Sequence, residues 1–83
     1  MNLEEFSYPI YRKRKNNKSF YKINSFQQFE EIQIVGKKFN YYIIEVLQYP
    51  EKLLLLDMIS LKEAIYDEIK CEDWNIIIKK MEA

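Results

Sequence analysis

The alternation of apolar and polar positions is clearest between residues 29 and 47. Phe29–Val35 and Lys38–Tyr49 flank Gly36-Lys37, and one face carries Ile32, Ile34, Phe39, Tyr41 and Ile43. The opposite face begins polar, with Glu31, Gln33 and Asn40, which is the period-2 pattern of two half-buried strands. Gly36 supplies the positive φ that a tight hairpin turn beginning with it needs. From Tyr42 to Leu47 both faces become apolar, which predicts a strand covered on two sides and ended by Pro50.

A second hairpin is expected earlier, from Tyr8–Lys15 and Lys18–Asn24 around Asn16-Asn17. Asn tolerates the left-handed conformation that a two-residue hairpin turn demands at both positions. That loop sets Ile10 against Ile23, Arg12 against Tyr21 and Lys13 against Phe20. Ser25–Gln28 is then a short connector.

Near the end of the chain the period changes. Trp74, Ile77, Ile78 and Met81 fall at i, i+3, i+4 and i+7, one stripe of a helix. Glu72 and Asp73 at its start and Lys79 and Lys80 at its end complement the helix dipole. Ile76 lies off the stripe, at its edge or exposed. Residues 50–69 stay open. Pro50, Glu51 and the run Leu53–Leu56 favour a short helix, but a four-residue apolar run also suits a buried strand. Ser60-Leu61-Lys62-Glu63 reads as a capping box, and Ala64–Ile69 alternates like a strand. The expected fold is α+β: four to five mostly antiparallel strands from two hairpins, with a C-terminal amphipathic helix packed on the sheet, all in one domain spanning 1–83.

Several segments carry a family resemblance. Tyr8-Pro9-Ile10-Tyr11-Arg12-Lys13, Ser19-Phe20-Tyr21-Lys22-Ile23 and Phe29-Glu30-Glu31-Ile32-Gln33 come first, then Gly36, Asp57-Met58-Ile59 and Tyr66-Asp67-Glu68-Ile69. In this order they resemble a group of short uncharacterised bacterial hypothetical proteins. The resemblance implies a short strand at Tyr66–Ile69, with the last helix just after it and no capping box at Ser60. It brings no activity, ligand or site.

Composition narrows the picture. With 83 residues the core must be dense, and 48% of the chain is hydrophobic with seven Tyr, five Phe and one Trp. Ile, Lys and Asn are abundant as in A/T-rich coding, so lysine richness alone is no functional signal. Net charge is zero but uneven: residues 1–42 hold eight basic against four acidic groups, and residues 43–83 hold five against nine. Such asymmetry either steers a partner or draws the two halves of the domain together, and the second is the plainer reading. The acidic start and the absence of a long apolar run point to a cytoplasmic protein that does not meet a membrane.

Much catalytic equipment is missing. There is no histidine, one cysteine and one glycine, which excludes a zinc cluster, a phosphate-binding loop and a dinucleotide fingerprint. No cofactor is expected, and the chain reads as a non-enzyme. Glu30 and Glu31 are adjacent on a strand and so point to opposite faces. Glu30 shares the face of Ile32 and Ile34, where a charge wants a partner, and Arg12 or failing that Lys22 is the expected one. Cys71 lies at the start of the last helix beside Glu72 and Asp73, which oppose activation of its thiol.

Two interaction readings remain. Tyr42, Tyr49, Trp74 and Leu53–Leu56 exceed what a small core readily hides, and interfaces favour aromatics, so an unknown protein partner or a homodimer is the leading expectation. The alternative is nucleic acid bound by the basic aromatic hairpin at residues 12–22. Its candidate residues are Arg12, Lys13, Arg14, Lys15, Lys18, Tyr21 and Lys22, with Tyr8, Tyr11 and Phe20 flanking them. Against that stands a solvated hairpin tip whose lysines discourage edge pairing.

Overall fold

A computed structural model describes residues 5–61 and 65–83. The first hairpin, β1 (Ile10–Arg14) with β2 (Ser19–Ser25), has the expected register: Ile10 against Ile23, Arg12 against Tyr21, Lys13 against Phe20. Its turn differs from the expected one. The Asn17 N–H donates to the Arg14 carbonyl at 3.0 Å, and of the two asparagines Asn17 alone is left-handed, with φ 60°. Lys15 and Asn16 therefore form the centre of a β-turn, and the Asn16 carboxamide accepts the Lys18 N–H at 2.9 Å.

The second hairpin joins β3 (Gln28–Val35) to β4 (Lys38–Glu45) around Gly36, whose φ is +62°. A short strand β5 (Tyr66–Glu68) pairs antiparallel with β1. The sheet order is β4-β3-β2-β1-β5. Continuous register from β1 to β4 puts Arg12, Tyr21, Glu31 and Tyr42 on one face and Tyr11, Lys22, Glu30 and Ile43 on the other.

A helix covers part of each face. Helix α1 (Tyr49–Ser60) buries Leu55, Met58 and Ile59, at i, i+3 and i+4, against Tyr21, Ile23, Phe29, Val46 and Tyr66. Residues 50–60 are thus helical, with Pro50 in the first turn, where a missing N–H costs nothing. The last residue of this helix is Ser60, and Leu61 closes it in a left-handed conformation at φ 56°. Ser60 therefore starts no helix, the strand reading of the following segment holds at Tyr66–Glu68, and residues 62–64 lie outside the described residues. Helix α2 (Cys71–Glu82) packs Trp74, Ile77, Ile78 and Met81 on the opposite face, against Phe20, Ile32, Ile34 and Phe39. The Asp73 carboxylate accepts the Lys70 N–H at 2.9 Å and satisfies one orphan donor at the start of α2.

One expectation fails here. β4 ends at Glu45 rather than Tyr49, and it is not covered on two sides. It is an edge strand.

Candidate functional site

The seven residues singled out in the basic hairpin do not converge. Tyr21 is 2% exposed in the core, with its ring edge-on to Phe29 and Tyr66, so it has no face to offer a base. Arg12 turns beneath the sheet, where its Nε donates to the Met58 carbonyl at 2.9 Å and Nη2 to the Ile59 carbonyl at 3.3 Å. Burial lowers its pKa, and Glu68, 4.0 Å away, works against that. Arg14 donates to the Tyr21 hydroxyl at 3.2 Å and lies 5.6 Å from the centre of the Tyr66 ring.

Lys13 and Lys15 both reach Asp67, at 3.5 and 2.5 Å, and these two cations hold that carboxyl below its ordinary pKa, Lys15 above all. The basic β1 and the acidic β5 are thus partners within the fold. With Arg12–Glu68 at 4.0 Å, three ion pairs join basic residues of the first half of the chain to acidic ones of the second at this edge. Lys18 is exposed at the tip, and Lys22 lies half-buried on the α2 face across from Glu30.

The expected Arg12–Glu30 pair does not form, because the register places the two on opposite faces. The Glu30 carboxylate instead accepts the Asn24 amide at 2.9 Å and a short hydrogen bond from the Tyr41 hydroxyl. Burial and then this bond push the Tyr41 phenol up to about 12. A groove of about 380 Å³ beside the hairpin tip is lined by Lys13, Phe20, Glu68, Asp73 and Ile77. Its two carboxylates make it a poor seat for a phosphate.

The apolar surface lies at the other end of the sheet. Tyr41, Tyr42 and Ile43 are 41, 45 and 57% exposed, the first and third on the α2 face and Tyr42 on the α1 face. Phe39 meets the α2 cluster and Ile44 the α1 cluster, but neither helix covers Tyr41, Tyr42 or Ile43, and among the described residues no strand pairs with the outer edge of β4. Which backbone groups face outward follows from the ladder. The Val46 N–H donates to the Gln27 carbonyl at 2.7 Å, and this pair continues the β3–β4 register. In an antiparallel pair alternate residues point inward, so Phe39, Tyr41, Ile43 and Glu45 turn N–H and C=O away from β3.

Residues 39–44 contain no charge, glycine or proline, which are the usual protections of an open edge. Beyond the strand, Leu47, Tyr49 and Leu53 are exposed, and a second groove of about 380 Å³ is lined by Phe26, Gln27, Val46, Leu47 and Lys52. Of the residues expected in surplus of the core, Trp74 and Leu55 are buried, while Tyr42, Tyr49 and Leu53 are not. Ile43 and Leu47 were not legible as surface residues. A strand apolar on both faces is either central or an unprotected edge, and only the sheet order separates the two.

The chain matches no protein-family model, no curated protein and no solved structure. Among the described residues no helix is long and apolar enough to cross a membrane, and no group of His, Cys, Asp or Glu is placed to hold a metal ion.

Proposed function

We propose that this domain is a non-enzymatic binding module whose working surface is the open edge of β4, engaged by another polypeptide chain. The observation that carries the reading is the run of exposed Tyr41, Tyr42 and Ile43 on a strand whose outward backbone groups have no partner among the described residues. Backbone hydrogen bonds along such an edge supply affinity, and side chains on the two faces supply selectivity. The groove at Phe26, Val46 and Leu47 lengthens the surface past the end of the strand. Nucleic acid is less well served, since five of the seven hairpin candidates are buried or engaged with Asp67, Tyr21 or the end of α1.

A photo-crosslinking amino acid at Tyr42 tests the proposal in the cell that makes the protein, with the same group at exposed Ile76 on α2 as control. A nuclease-resistant adduct with a polypeptide from position 42 and not from 76 is the expected result. No protein adduct from 42 removes the reading.

A further inference from the structure

The proposed binding edge has a property that selects its partner. β4 is basic at its beginning, with Lys37 in the turn and Lys38 at the first position, and acidic at its end, with Glu45. Between them lies the uncharged stretch Phe39-Asn40-Tyr41-Tyr42-Ile43-Ile44. A strand with opposite charges at its ends and apolar residues between is complementary to itself when run antiparallel. Run parallel, it sets like charges side by side.

From this we infer that the occupant of the β4 edge is a second copy of the same chain, its β4 antiparallel to the first across a two-fold axis normal to the sheet. The inference rests on the binding reading above. The geometry restricts the register. An axis normal to the sheet keeps each face on its own side, so facing residues must be both odd or both even. The outward-pointing set, Phe39, Tyr41, Ile43 and Glu45, is odd throughout. With the axis at Tyr41, Phe39 faces Ile43 of the second copy, and Glu45 faces Lys37.

Among the described residues the sheet has two edges, and β4 is the longer and less charged of them. At the opposite edge β5 has three residues, two of them acidic, and its Asp67 is held by Lys13 and Lys15. Pairing through β4 alone closes at a dimer and propagates no further. The paired sheets form a single ten-stranded layer, with the exposed side chains of both β4 strands meeting on each face. Contact through one strand pair is small beside an obligate interface, so the dimer is a reversible one.

Sedimentation equilibrium of the full chain, up to about 1 mM, tests the inference. A concentration-dependent monomer–dimer equilibrium is expected. Glu45→Lys sets lysine against Lys37 at both ends and weakens the dimer at least about tenfold, and Lys37→Glu in the same chain restores it. Both positions are exposed, and circular dichroism verifies that each variant is folded. A monomer throughout, assembly that does not stop at two, or a dimer indifferent to Glu45→Lys overturns the inference. The crosslinker at Tyr42 separates the two levels: a monomer that still captures a different protein there loses the second copy and keeps the binding edge, whereas a monomer that captures nothing loses both.

Discussion

The Nε of Arg12 donates to the main-chain carbonyl of Met58 at 2.9 Å and so ties the first strand to the last turn of α1, 46 residues later. The same guanidinium donates to the Ile59 carbonyl at 3.3 Å. Those carbonyls are among the four that a helix leaves unpaired at its C-terminus, where the dipole also favours a cation. The Arg12 side chain is only 11% exposed, so water does not readily replace it. Arg12→Met keeps much of the apolar stem but takes the guanidinium from both carbonyls, leaving Met58 with the longer bond from the Leu61 N–H at 3.4 Å, which costs about 1–3 kcal/mol of stability in urea unfolding. Glu30→Gln retains an acceptor for Asn24 and Tyr41 and costs less than about 1 kcal/mol.

Trp74 and Ile76 lie two residues apart on α2 and differ in consequence. Trp74 is 3% exposed over Phe20 and Ile32, whereas Ile76 is half exposed. Trp74→Ala opens a cavity on a face roofed by this helix alone and costs about 3–5 kcal/mol. A chain of this length has roughly 4–12 kcal/mol in total, so thermal unfolding of that variant falls toward ambient temperature. Ile76→Ala stays within about 0.5 kcal/mol of the parent.

These two cases mark what the sequence made legible. The Trp74 stripe has the 3.6-residue period over a full helix, and the hairpin registers follow from apolar alternation on either side of Asn16-Asn17 and Gly36. Helix α1 gave no such signal, since the four leucines 53–56 point around the helix and only Leu55 is fully buried. The partners of Arg12 were equally hidden. They depend on where α1 ends, and a carbonyl carries no trace of its exposure in the sequence. From Tyr42 to Leu47 the composition suits a strand covered on two sides, yet Tyr42, Ile43 and Leu47 are exposed. What puts β4 at the edge is the sheet order, in which the chain leaves it for a helix and returns to pair with β1 instead.

Asn17 carries φ 60° at the tip of the first hairpin, a conformation that glycine enters without the clash a Cβ brings. Asn17→Gly is therefore neutral or stabilising by a few tenths of a kcal/mol, and Asn17→Ala destabilises by about 1 kcal/mol. Denaturant midpoints of the two variants, measured side by side, should fall in that order.

Asp67 stands between Lys15 and Lys13, and its pKa is lowered from 3.8. A carboxyl with a depressed folded pKa adds stability that is present above the unfolded value, and it loses this as pH falls through the folded one. The parent should therefore lose stability below about pH 4, partly through this group. Asp67→Asn removes that share: it lowers stability at neutral pH and flattens the acid limb, and the difference shrinks with added salt because the pair is exposed.

Tyr41 provides the matching case in alkali. Its phenol is raised from 10.0 to about 12 by burial and by the bond it donates to Glu30. Between those values the unfolded chain releases the proton while the folded chain keeps it. The contribution is therefore whole below about pH 10 and disappears as pH rises through 12. Tyr41→Phe abolishes the bond, so the variant starts less stable at pH 8 and declines less steeply above pH 10. In the native protein the phenolate absorbance of the variant lacks one late-titrating group. An unchanged late phase would mean that Tyr41 titrates as a free tyrosine and that Glu30 does not hold it.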